Sequence, residues 1–196
     1  MNQPLADAAL DQLFRQARSF NGYLDQPVSH DQMDAIWELM KFGPTSANCL
    51  PARIIWVETA AGKEKLADCV DKTNVSKVLS APVSAIIGMD LAFYEQLPEL
   101  FPHADARSWF AGSPVVAEST AFRNSTLQGG YFILAARALG LDTGAISGFD
   151  SASVDKAFFA DTGFKSNFIC TLGYGDPATI FDRLPRPGFN RFNTII

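Results

Sequence analysis

The stretch PVVAESTAFRNSTLQGGYFILAARALG, residues 114–140, decides the fold. Pro114 suits the first turn of a helix, where its missing N–H would be unpaired anyway. From Val115 to Leu139 the pattern stays helical and weakly polar, and Gly140 stands in a C-cap position. A helix apolar on most faces is either central or buried at an interface. On its N-terminal side, Arg53-Ile-Ile-Trp-Val57 and Val83-Ser-Ala-Ile-Ile-Gly88 are continuous apolar runs that read as buried strands. On its C-terminal side, Lys165 to Gly173 is a third strand, after a short Gly-bounded segment from Thr143 to Phe149 and a helix opened by Asp150 or Ser151. Strands and helices alternate loosely, without a tight βαβ rhythm. The expectation is one α+β domain over residues 1–196, with helices packed on a modest sheet.

Further helices are predicted outward from this frame. Asp7 to Arg18 is amphipathic, with Leu10, Leu13, Phe14 and Ala17 on one face. Ser29 and Gln32 form a capping-box pair at the head of a helix whose stripe is Met33, Ile36, Trp37 and Met40, and Gly43-Pro44 stops it. Gly62 to Val70 and Asn74 to Leu79 also read as helical, whereas the aromatic, Pro-punctuated run from Leu91 to Phe110 has no clear period.

Composition narrows the function classes. Sixteen basic against 21 acidic residues give a net charge of −5, and no Lys/Arg cluster stands out, which argues against nucleic acid and anionic lipid partners. Asp7 and Asp11 occupy the start, where a secretory signal would carry basic residues, and no apolar run reaches membrane-spanning length. Cys49, Cys69 and Cys170 are scattered and odd in number, which suits a reducing cytoplasm. Charged residues make up only 19% of a chain with 16 Phe, an apolar excess that hints at a subunit interface.

No nucleophile elbow, phosphate-binding Gly-rich loop or zinc motif is present, and two histidines, His30 and His103, are too few for a His-rich metal site. What remains are small polar and basic residues in loops. Gly43 to Pro51 concentrates hydroxyls and an amide, although its composition also suits an ordinary turn. Asn74 and Lys77 share a helix face. Arg18-Ser19 and Arg186, at opposite ends of the chain, could meet on one phosphate.

The order of several longer words is more telling. Lys41-Phe-Gly-Pro-Thr-Ser-Ala-Asn48 runs on to Pro51-Ala-Arg53, and Leu100-Phe-Pro-His-Ala-Asp-Ala-Arg-Ser-Trp-Phe110 follows. Ala121-Phe-Arg-Asn-Ser125, Ala138-Leu-Gly-Leu-Asp-Thr-Gly144, Ser147-Gly-Phe-Asp150 and Lys165-Ser-Asn167 come after. In that order the chain resembles, essentially end to end, the FMN-dependent nitroreductase family. Within it the likeness is to the branch of malonic semialdehyde reductases of pyrimidine utilisation and related NADH dehydrogenase/NAD(P)H nitroreductases.

The resemblance implies a nitroreductase-like fold with a central mixed sheet and an interlocked homodimer holding FMN at the subunit interface. It assigns Arg18 and Ser19 to an N-terminal flavin-contacting word, with Asn21 where relatives often carry another Arg. Thr45, Ser46 and Asn48 match a loop supplied by the other subunit, and Asn74 and Lys77 a pair at the polar edge of the flavin ring. Ala145, Ser147 and Gly148 match the loop whose backbone faces the ring. Arg186 matches a phosphate contact, with Gly188 where a second basic residue is expected. Hydride transfer at the ring needs no side-chain acid or base, so no catalytic residue is expected beyond Lys77 as an electrostatic tuner. His103, Arg107 and Phe110 are candidates for substrate contact, and for the aromatics and Arg107 a core or ion-paired role is equally open.

The resulting expectation is a cytoplasmic, homodimeric NAD(P)H-dependent flavin oxidoreductase. It would use NADH or NADPH to reduce a small carbonyl compound such as 3-oxopropanoate. The alternatives are a broad-range nitroreductase or quinone reductase of the same fold, a non-catalytic flavin-binding dimer, and a cofactor-free hydrolase.

Overall fold

The computed structural model describes residues 3–196; Met1 and Asn2, at the start of the expected domain, lie outside the described residues. Nine α-helices and four strands occur among those residues. In chain order they are α1 (Asp7–Leu10), α2 (His30–Met40), β1 (Ala52–Val57), α3 (Ala60–Ala67), α4 (Lys72–Ser80) and β2 (Val83–Met89). Then come α5 (Leu97–Leu100), α6 (Ser108–Ala111), α7 (Pro114–Ala138), β3 (Asp142–Ile146), α8 (Ser151–Phe158), β4 (Lys165–Gly173) and α9 (Phe189–Phe192).

The strands lie in the order β1-β2-β4-β3, and every neighbouring pair is antiparallel. Parallel pairing, the other half of the expected mixed sheet, is confined to an isolated bridge between Ser19 and Thr143 on the β3 edge. Every residue of β2 is buried, because helices cover both faces of the sheet. Ala85 and Ile87 face a cluster with Ile36, Met40, Phe132 and Ala136 from α2 and α7. Ile86 points the other way, toward Leu66, Val78 and Val154 from α3, α4 and α8. The continuous apolar runs in the sequence follow from that double coverage. Truncating the fully buried Phe132 would cost about 3–5 kcal/mol.

At about 37 Å, α7 spans the sheet. Pro114 opens it, and Gly140 at φ +79° takes the left-handed conformation that ends it. One side of α7 enters the core. The other leaves Phe122, Leu127 and Tyr131 exposed along an apolar groove of about 690 Å³.

Two expectations need correction. The N-terminal helix is short: α1 passes into a π-helical turn at Asp11–Arg15, closed by the Gln16 N–H bonding the Asp11 carbonyl at 2.8 Å. The extra residue per turn rotates the apolar stripe, and no residue of this segment is buried. In α2 the capping box forms as read and Met33, Ile36 and Met40 are buried, but Trp37 is 39% exposed at the edge of the stripe. The run from Leu91 to Phe110 becomes short turns and helices closed around a separate cluster of Phe93, Leu97 and Phe110.

Candidate functional site

Strand β3 is an edge strand, and polar groups gather at both of its ends. At the Asp142 end, the Phe20 N–H donates to the Thr143 carbonyl at 3.1 Å, which lays the segment Arg18–Asn21 along the strand. The C-terminal tail folds back over the same place. Asp176 N–H donates to the Gly22 carbonyl at 3.0 Å and Asn21 Nδ2 to the Thr179 carbonyl at 3.0 Å.

These contacts enclose a cavity of about 400 Å³ lined by Arg18, Ser19, Asn21, Arg137, Arg183 and Arg186 among others. Four of the residues named for function in the sequence, Arg18, Ser19, Asn21 and Arg186, therefore meet although the outermost two are 168 positions apart. Arg137, in the last turn of α7, and Arg183, in the tail, are additions that the sequence reading missed. An isolated arginine in the long apolar pattern of α7 was the one signal for Arg137. The Asn21 amide is spent on holding the tail.

At the Ile146 end, β3 runs out into Ser147 and Gly148. Asn74 Nδ2 donates to the Gly148 carbonyl at 3.2 Å, and the Asp71 N–H donates to the same carbonyl at 3.0 Å. A Cβ on Gly148 would stand 2.5 Å from Asp71 Oδ2 and 3.0 Å from Asn74 Nδ2, so the closeness of α4 to this loop requires glycine. Ala145 and Ser147 are exposed beside this junction.

Lys77, one turn beyond Asn74 on α4, is 8% exposed. Its Nζ makes no hydrogen bond or ion pair among the described residues. Burial lowers its pKa from the ordinary lysine value of 10.5, and the opposing influence comes from Cys170, which pairs with Ala145 in the sheet. Burial likewise raises the Cys170 thiol, which feels both Arg137 and Lys77 as nearby positive charge. A buried lysine without a carboxylate partner is costly unless something anionic meets it.

The loop Thr45–Asn48 stands apart and lines neither end of β3. Ala47, Asn48 and Leu50 all have positive φ, a strained run. It is held by α7, by the end of α5 and by itself. The Ser46 N–H donates to Asn124 Oδ1 at 2.9 Å, the Leu50 N–H to Thr45 Oγ1 at 3.2 Å and Asn48 Nδ2 to the Leu100 carbonyl at 2.9 Å.

The substrate-contact candidates form a third group. Phe110 is buried against Phe93, ring centres 5.1 Å apart, and so presents no face to solvent. Arg107 makes a bidentate pair with Glu95, both contacts 2.7 Å, rather than with Asp105 or Glu99. That pair lowers the Glu95 pKa and raises that of Arg107. His103 is exposed, edge-on to Phe101 at 5.4 Å. Among the described residues no cluster of His, Cys, Asp and Glu is suited to a metal, all three cysteines are free, and no helix is long and apolar enough to cross a membrane.

This architecture recurs in known proteins. A nitroreductase of Bacillus subtilis superposes with a TM-score of 0.86 at 21% identity, over 97% of this chain and all of the other. A nitroreductase from Exiguobacterium sibiricum, solved in complex with FMN, superposes with a TM-score of 0.85 at 20% identity over the whole of both chains. In sequence, a Burkholderia lata protein bearing the name NADH dehydrogenase/NAD(P)H nitroreductase is 56% identical over 186 residues, covering 95% of each chain. Residues 14–174 match the profile of the nitroreductase family. With that match and that identity, the chain belongs to the nitroreductase family.

Proposed function

We propose that the chain is an FMN-dependent oxidoreductase that draws hydride from NADH or NADPH and reduces a small aldehyde such as 3-oxopropanoate to 3-hydroxypropanoate in ping-pong turnover. The observation that carries the reading is the placement of unpaired cations at the two ends of one strand. From Thr143 to Ser147 is about 13 Å at strand rise. Such a span suits a ligand with a phosphate at one end and a polar ring at the other.

The residues fit FMN by their own chemistry. Arg18 and Arg186 carry guanidinium donors free for a phosphate. Lys77 is a buried cation in want of an anion, and Gly148 keeps a main-chain surface clear where any side chain would collide with Asn74 and Asp71. Bound FMN supplies the chemistry of accepting a hydride from the nicotinamide and passing it to the acceptor. Lys77 favours the negative charge that reduction brings to the ring edge, and Asn74 fixes the loop beside it. The backbone of Ala145, Ser147 and Gly148 presents the ring-facing surface, and no side-chain acid or base is required there.

The same reading makes the working unit a cytoplasmic homodimer of one domain per chain. The exposed apolar face of α7 packs against a second copy, and the strained loop with Thr45, Ser46 and Asn48 reaches the partner's flavin. At the substrate end, His103 and Arg107 meet a carboxylate, with Arg107 exchanging Glu95 for it.

The test is the visible spectrum of the purified protein under anaerobic conditions. A bound-flavin spectrum that bleaches with NADH or NADPH and recovers on adding 3-oxopropanoate is the expected result. Recovery only with nitroaromatics or quinones would move the substrate class to the broad-range reductases. A protein that stays colourless in excess FMN would end the cofactor assignment.

A further inference from the structure

On the opposite edge of the sheet from β3, Arg53 in β1 pairs with Asp90 just past β2, Nη2 to Oδ2 at 2.6 Å. Of the seven ion pairs among the described residues, it is the one with both side chains less than a quarter exposed, at 23% and 11%. Both partners have further bonds at the same place. Arg53 Nη1 donates to the Leu50 carbonyl at 3.0 Å and to the Ala52 carbonyl at 2.9 Å, and its guanidinium lies 5.5 Å from the ring centre of Phe164. The Asp90 N–H donates to the Pro51 carbonyl at 2.9 Å, and Asp90 Oδ1 accepts from the Ala92 N–H at 2.8 Å. The pair therefore stands at a junction. Leu50, at φ +37°, closes the strained loop, and Ala92 stands at the head of the run Leu91–Phe110. Beyond the junction the two segments stay together. Asn48 Nδ2 bonds the Leu100 carbonyl, and Ala47 and Cys49 pack in the cluster of Phe93, Leu97 and Phe110.

A buried ion pair adds little net stability over apolar side chains of similar size, because desolvation offsets the attraction. What it supplies is register, since a planar guanidinium and a carboxylate meet in few geometries. Left-handed backbone at three positions of one short loop likewise persists only where the surroundings fix it. We propose that Arg53 and Asp90 are positioning residues that lock the loop Thr45–Asn48 to the segment Leu91–Phe110, an assignment that rests on the function proposed above. Under that function the loop meets the flavin of a second copy, and the segment brings His103 and Arg107 to the substrate carboxylate. Arg53 and Asp90 act only through those two segments. Their junction sets the distance between the two surfaces, so flavin and acceptor are met by one unit rather than by two loops that settle independently.

The test is a double-mutant cycle on the full-length protein. KM and kcat for 3-oxopropanoate are read on the FMN-loaded form, and FMN affinity on protein stripped of flavin, by the quenching of flavin fluorescence. Asp90→Asn keeps an acceptor for the Ala92 N–H and removes the charge facing Arg53. Arg53→Met removes the guanidinium and keeps most of its apolar stem. Each is expected to raise KM about tenfold with kcat within about threefold, and to weaken FMN binding a few-fold. The double variant should match the worse single variant rather than multiply the two, because the second substitution has no pair left to break. A lowered melting temperature with KM and FMN affinity unchanged in both single variants makes the pair purely structural and overturns the proposal. So do KM effects that multiply in the double variant. If Arg53→Met does not fold, Asp90→Asn decides alone, since KM and FMN affinity must worsen together in it. Wild-type protein that reduces only nitroaromatics or quinones overturns the aldehyde reading, and the same cycle run on that acceptor still decides the positioning pair. Wild-type protein that binds no flavin brings down the proposed function and the positioning pair with it.

Discussion

At the Asp142 end of β3 the cations are four arginines on loops, a helix terminus and the tail, partly or fully exposed and leaning on main-chain carbonyls. At the Ile146 end there is one lysine, 8% exposed, beside a glycine-tight junction of helix and loop. The first arrangement is redundant and built from distant pieces of chain. The second is singular and rigid. Redundant exposed charge suits holding an anion that must be admitted and kept. A lone buried charge suits changing the energy of what lies against it, because low polarity around it leaves its field unscreened. Under the proposed function, one end then supplies affinity and the other tunes the chemistry.

The strongest way to break that assignment is at the arginine end. The double variant Arg18→Ala/Arg186→Ala should weaken FMN binding about a hundredfold, since each charge-assisted bond contributes on the order of 1.5 kcal/mol or more. Once the variant is saturated with FMN, its rate of flavin reduction should stay within about threefold of wild type. Titration followed by stopped-flow reduction separates the two quantities. A large loss of rate at saturation would mean that the ends do not divide the work.

Lys77 sharpens the comparison from the other side. Lys77→Met should slow flavin reduction about tenfold while leaving FMN affinity within a few-fold. Its pH dependence carries a second signature. Burial holds the Lys77 pKa below the ordinary 10.5. Between the folded value and 10.5, the unfolded chain still binds a proton that the folded chain has released, so the contribution of Lys77 makes stability rise with pH there. Activity should move the opposite way, falling as the lysine loses its charge. Lys77→Arg keeps its charge and should remove this alkaline fall. An alkaline limb that survives in Lys77→Arg belongs to some other group.

How far this site could be read from the sequence follows the same division. Signals carried by neighbours in the chain were legible. The Ser29–Gln32 capping box, the stop at Gly140 and the β4 span Lys165–Gly173 all form where they were read, because each depends on residues a turn or a strand apart. The pairing of Asn74 with Lys77 was legible for the same reason. The arginine end was only half legible. Arg137 looks like part of an apolar helix and Arg183 like part of an irregular tail, and only the return of the tail past Gly22 and Asn21 brings them together. The run from Leu91 to Phe110 was opaque because its short helices are held by packing of Phe93 on Phe110 rather than by period. Phe110 takes the core role that the sequence leaves open beside substrate contact.

The smallest effect concerns the loop that belongs to neither end. Ala47, Asn48 and Leu50 hold left-handed backbone at a cost of about 1–3 kcal/mol each, and α7 restrains that loop through the Asn124 carbonyl oxygen on the Ser46 N–H. Asn124→Ala removes the acceptor and should lower stability by about 1 kcal/mol, a drop of roughly 2–4 °C in melting temperature for a chain of this size. Thr45, Ser46 and Asn48 line neither polar cluster of their own chain, so an effect of this variant on FMN has to pass through a second copy. A few-fold loss of FMN affinity, greatest at protein concentrations where dimers persist, is the expected outcome. A melting shift with FMN affinity untouched would leave the loop as a structural brace of α7 and confine the flavin site to the two ends of β3.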